Sequence, residues 1–118
     1  MFKAGGRTIM ISAGDTGILR FSVDGVSLTG KDRAVFTIRR KNGGSVIMQK
    51  VMEPLDEHTF MMAFVNEDTQ NIKTDGYEWD IRIVLDAQMA GGSVVDGREV
   101  ITPFQPGNFQ VMKVVGTV

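Results

Sequence analysis

The sequence contains no cysteine. That excludes a disulfide framework, a thiolate metal centre and a thiol nucleophile. Histidine occurs once, as His58 in the polar stretch Pro54-Leu55-Asp56-Glu57-His58. No nucleophile motif stands near it, so it reads as a solvated loop residue rather than a general base, and no catalytic residues are expected. An excess of either charge is also missing. Thirteen Lys and Arg against 14 Asp and Glu leave a net charge of -1. This gives no electrostatic reason to expect nucleic acid or an anionic membrane as partner. No window approaches the roughly 18 apolar residues of a transmembrane helix. The opening Met1-Phe2-Lys3-Ala4-Gly5-Gly6-Arg7 puts two cations and a glycine pair where a signal peptide would need its apolar stretch. The expectation is a chain made and folded in a cytoplasm, without a membrane partner.

What the 118 residues do contain is enough for one domain spanning 1–118, with a core that needs no staples. The apolar residues recur with a period of two. In Tyr77–Leu85, Tyr77, Trp79, Ile81 and Ile83 share one face, and Glu78, Asp80 and Arg82 the other. Leu19, Phe21 and Val23 alternate with Arg20 and Ser22 before the turn pair Asp24-Gly25. Phe36 and Ile38 alternate with Thr37 and Arg39 before Asn42-Gly43-Gly44. Thr8–Ser12, Val46–Met52, Thr59–Val65, Arg98–Phe104 and Asn108–Val115 bring the total to about eight strands, a spacing that indicates an all-β sandwich or barrel. Helical signal is confined to one turn within Glu67–Lys73. The longest irregular stretch is Asp86–Gly97. Tyr77, Trp79, Ile81, Phe36, Ile38, Leu19, Phe21, Phe60 and Phe64 are the expected core.

Two groups of segments carry a family resemblance. One is Gly14-Asp15-Thr16-Gly17-Ile18-Leu19-Arg20-Phe21 with the strand Ala34–Ile38. The other is Asp68-Thr69, then Asp75-Gly76-Tyr77-Glu78-Trp79-Asp80-Ile81-Arg82, then Ile101-Thr102-Pro103. In this order they resemble the immunoglobulin-like domain of phage and prophage tail or baseplate proteins, and are similar to the N-terminal domain of the baseplate upper protein of phages of Gram-positive bacteria. The resemblance covers roughly residues 14 to 112. It implies an immunoglobulin-like antiparallel β-sandwich of about seven to nine strands. It also implies a structural role in a virion, assembled in the host bacterial cytoplasm from copies of itself and other phage structural proteins. Asp75-Gly76-Tyr77 is similar to the tyrosine corner of such sandwiches, and Trp79 stands where antibody domains carry their second cysteine. Asp68-Thr69 is positioned to cap the short helical turn.

The remaining motifs admit bland readings. Glu67, Asp68 and Asp75 match no calcium-loop spacing, so capping is expected and no metal or cofactor. The pairs Gly5-Gly6, Gly43-Gly44 and Gly91-Gly92 precede no helix and read as turns, not phosphate cradles. The run Arg39-Arg40-Lys41 lacks interleaved aromatics and reads as a solvated turn.

Methionine carries more information, with eight in the chain. Met48, Met52, Met61 and Met62 fall on two strands taken as central, whose two faces both read as apolar. Either the core is padded with Met, or the outer face of this sheet, with Met61 and Met48, is covered by another subunit. In Asp86–Gly97, Met89, Val94 and Val95 either anchor a partner or fold back on the sheet. The C-terminal strand Asn108–Val118 and the segment Met1–Thr8 are candidate edges for strand addition. The alternative function is a carbohydrate- or cell-surface-binding module, which would want Trp79 or Tyr77 exposed in a groove.

Overall fold

The computed structural model describes residues 2–5, 8–41, 44–72, 76–103 and 106–112. The alternating segments become β1 (Phe2–Gly5), β2 (Thr8–Ser12), β3 (Gly17–Ser22), β4 (Arg33–Arg40), β5 (Val46–Met52) and β6 (Thr59–Phe64). One helical turn, α1 (Asn66–Thr69), follows. Then come β7 (Gly76–Leu85), β8 (Gln88–Ala90), β9 (Ser93–Asp96), β10 (Glu99–Ile101) and β11 (Gly107–Met112). The larger sheet runs β1-β2-β11-β7-β4-β5, with β10 also paired to β7. The smaller sheet is β3–β6, and β8–β9 is a separate hairpin.

The fold is an all-β sandwich. In the larger sheet β11-β7-β4-β5 occupy the places of immunoglobulin strands G-F-C-C′, and β3–β6 those of B and E. One pairing is not antiparallel: β2 runs parallel to β11, Asn108 opposite Thr8 and Met112 opposite Ser12.

Period-two burial holds the two sheets together. Phe36, Ile38, Trp79, Ile81 and Phe109 point inward from the larger sheet and meet Leu19, Phe60, Met62 and Phe64 of the smaller one. Phe36 stacks on Trp79 at 5.8 Å and meets Phe64 edge-on at 5.8 Å, and Phe64 lies 5.8 Å from Phe109. Trp79 and Tyr77 are both buried. An aromatic cluster therefore fills the place of the missing disulfide. Phe21, expected in the core, is only half-buried at its margin, stacked on Phe60 at 5.4 Å.

Several expectations change. Val46–Met52 and Thr59–Val65 are not central strands: among the described residues β5 closes one edge of the larger sheet, and β3 is the only strand that pairs with β6, apart from a single bridge between Phe60 and Pro54. A bulge at Ile47, between the pairs Ile38–Met48 and Arg39–Val46, breaks the alternation of β5. The C-terminal strand is not an edge over its described residues, since β11 lies between β2 and β7, whereas β1 is one. Residues 113–118 of that candidate edge, and Met1, Gly6 and Arg7 of the N-terminal one, lie outside the described residues. Asp86–Gly97 is not irregular. Gly91 and Gly92, at φ +58° and +80°, supply the turn that makes it the β8–β9 hairpin. Arg98–Phe104 shortens to β10, with Phe104 outside the described residues.

Candidate interaction surfaces

Three surfaces collect the chemistry-bearing residues. The outer face of the small sheet comes from the alternate positions of β3 and β6. Leu19, Phe21, Phe60 and Met62 turn toward the core, so Ile18 stands opposite Ala63 and Arg20 opposite Met61 on the solvent side. Ile18 is 57% exposed, and Val65, just past β6, 47%. Met61 is half-buried and Ala63 exposed. This is a small apolar patch beside one arginine.

The outer face of the large sheet is built from Val35, Thr37 and Arg39 on β4, Val46, Gln49 and Val51 on β5, and Glu78, Asp80, Arg82 and Val84 on β7. Arg39 sits between two carboxylates, at 3.3 Å from Glu78 and 3.5 Å from Asp80. Gln49 donates to the Thr37 hydroxyl at 3.2 Å. The hairpin reaches over part of this face. Val94 lines two shallow depressions with Val35 and Gln49, one of them also bounded by Val51 and the other by Val84 and Val100. Of the three hairpin residues expected to anchor a partner or fold back, Val94 folds back and is half-buried. Met89 and Val95 remain outside, Val95 at 64% exposure.

The third surface is a cleft of about 510 Å³ between β5 and α1, lined among others by Arg40, Ile47, Met48, Glu67, Asp68 and Ile72. Met48 belongs here and to the core rim. Its partner in the ladder is the buried Ile38, so it packs inward and is not part of an outer face with Met61. Asp68 is committed structurally. Its carboxylate accepts the Val65 N–H at 2.7 Å, giving α1 its cap, and it pairs with the Lys50 ammonium. Lys50 also donates to the Ala63 carbonyl at 2.9 Å, tying β5 to β6. Thr69 is fully buried, and its hydroxyl accepts the Gly14 N–H at 2.9 Å. Of the pair expected to cap the helical turn, Asp68 does so, whereas Thr69 holds the β2–β3 turn instead.

His58 lies exposed in the β5–β6 connection, where its backbone N–H donates to Asp56 at 2.9 Å. That bond, joined by one from the Thr59 side chain, lowers the Asp56 carboxyl below its ordinary value. Among the described residues no three His, Cys, Asp or Glu side chains gather to hold a metal ion, and Asp75 lies outside them. No helix among the described residues is long and apolar enough to cross a membrane.

Ile18 and the free edge of β5 were not singled out from the sequence. Extending the β3 alternation one residue toward its start would have put Ile18 outside. The edge had no local signal, because strand order is set by non-local pairing. Comparison with protein-family models, with curated proteins and with solved structures finds no match. The class the fold defines is an all-β, immunoglobulin-like sandwich.

Proposed function

We propose that this chain is a structural protein of a phage or prophage tail or baseplate, working by protein–protein contact with copies of itself and with neighbouring virion proteins rather than by catalysis. The observation that carries the reading is the apolar surface the chain leaves uncovered on both outer sides. Ile18, Ala63 and Val65 lie on the small sheet, and Val46, Val95 and Val100 lie on or beside the large one, at 57, 64 and 58% exposure respectively. Single exposed apolar residues are ordinary, but neighbours paired across a strand ladder, as Ile18 and Ala63 are, suit a protein-facing surface. Short-motif resemblance to tail and baseplate immunoglobulin-like domains supplies the virion context. The buried positions of Trp79 and Tyr77 remove the aromatic platform that a sugar-binding site would use, so the carbohydrate alternative gains no support.

The test is direct. Particles induced from the source bacterium are purified and labelled with an antibody to this chain for electron microscopy. Label at the tail tip or baseplate is expected. Intact particles without the chain, by label and by mass spectrometry, would discard the reading.

A further inference from the structure

The edge strand β5 presents a specific docking geometry. Among the described residues it pairs only with β4, leaving the other side of Val46–Met52 unpaired over seven residues. The opposite edge of the sheet, β1, has four. A long apolar edge is an aggregation hazard, and proteins usually guard it with an outward charge or cover it. The charge on β5 does not guard it. Lys50 turns across the sandwich to Asp68 and the Ala63 carbonyl.

The two ends of β5 are oppositely charged. Arg40 and Lys41 are exposed beside its beginning, and Glu53, Asp56 and Glu57 are exposed beside its end. Glu53 is held only loosely by Arg33, at 3.6 Å with 79% of its side chain exposed. An antiparallel neighbour of the same sequence, related by a two-fold axis at the midpoint Gln49, sets the basic end of each copy beside the acidic end of the other. Within the seam Gln49 faces Gln49 on the outer side and Lys50 faces Met48 on the core side, the regular pairing ending at the Ile47 bulge, and no like charges are opposed. A closed two-fold pairing of this kind uses both free edges and leaves none to propagate.

We propose that β5 is a self-pairing edge, and that two copies of this chain join their large sheets through antiparallel β5–β5 addition centred on Gln49. This rests on the assembly reading and names its contact. The occupant is a second copy because the charge pattern of the edge is complementary to itself only in that arrangement.

Light scattering after size exclusion, over a concentration series of the full chain, reads the result. The wild type is expected to reach twice the chain mass as concentration rises. Gln49→Lys and Gln49→Glu each put two like charges face to face, and each is expected to weaken dimerisation several-fold, up to about tenfold. Mixing the two variants is expected to restore the dimer, because Lys then faces Glu. Gln49 is exposed, so at concentrations where the wild type is monomeric the thermal melts of both variants should differ from it by no more than the loss of the Gln49–Thr37 hydrogen bond. A wild type that stays monomeric throughout overturns the proposal. An open-ended series of masses overturns the two-fold closure it requires. A dimer indifferent to both variants, or a mixture no tighter than either alone, also overturns it while leaving assembly through another surface intact. A monomer that still labels tail tips sinks the β5 seam alone, and a monomer absent from particles sinks the function as well.

Discussion

Thr69 shows how a single buried hydroxyl decides a connection. It is fully buried, and its oxygen receives the Gly14 N–H in a turn where Gly14 stands at φ +82°. Thr69→Val keeps the volume and removes the acceptor, leaving that N–H without this partner, a cost of about 1–3 kcal/mol. Thr69→Ser keeps the bond and gives up only a methyl, so in urea titration Ser should hold more stability than Val. Equal losses would mean that volume, not the bond, matters. Asp32 works similarly at the opposite end of the sandwich. It is buried, accepts the Thr29 N–H at 2.7 Å and the Asp86 N–H at 3.0 Å, and so joins the β3–β4 connection to the end of β7. Asp56 makes a prediction about pH. Its folded carboxyl is depressed below 3.8, first by the His58 N–H and then by the Thr59 side chain. The folded chain therefore binds that proton less readily than the unfolded one. The stabilisation is complete above the ordinary value of 3.8 and fades as pH falls through the lowered one. A carboxyl-detected NMR titration should place the Asp56 midpoint below the ordinary value, and the Asp56→Ala variant should lose that part of the acid-side slope.

Elements differ in how legible they were, and the difference is physical. β7 could be read directly, because Tyr77, Trp79, Ile81 and Ile83 are buried on one face while Glu78, Asp80 and Arg82 line the other. β5 was misread. A bulge at Ile47 sends Val46 outward and Met48 inward, so a strict period of two assigns Val46 and Met48 to one face when they lie on opposite ones. Apolar residues on both faces suggested a covered central strand, but the position of β5 at the sheet edge depends on pairings distant in sequence. The hairpin β8–β9 was missed because three- and four-residue strands around two glycines carry too little pattern to tell a hairpin from a loop. Its anchoring is nonetheless tight. Arg98 donates to Asp86 at 2.7 Å, and a Cβ on Gly97 would come within 2.2 Å of the Val84 side chain and 3.0 Å of the Leu85 carbonyl. Val84 is β-branched and buried, so it cannot easily swing aside. Gly97→Ala should therefore cost about 1–3 kcal/mol and disturb β10 first. Amide exchange would show this as faster exchange in the β10 ladder with β4–β5 unchanged. If β10 stays protected, the close approach at Gly97 is not what seats the hairpin's return.

At the scale of the molecule, the question is whether a two-stranded sheet and a seven-stranded one behave as a single cooperative unit. They share one aromatic cluster, and Phe64 is its contribution from the small sheet, meeting Phe36 and Phe109 of the large one. A two-stranded ribbon such as β3–β6 is marginal alone, so its order depends on this packing. Trp79, the only tryptophan, stacks on Phe36 within the large sheet, so its fluorescence reports that layer while far-ultraviolet dichroism reports both. In the wild type the two signals should trace one denaturation curve, as expected of a single domain. Phe64→Ala removes the ring that bridges the layers and should cost about 3–5 kcal/mol, a large share of a typical domain's stability. Because the loss falls on the shared core, both signals should shift together to lower denaturant. Were the small sheet an independent appendage, the fluorescence midpoint would stay in place while the dichroism split into two transitions, and the single core argued for residues 1–118 would have to be given up.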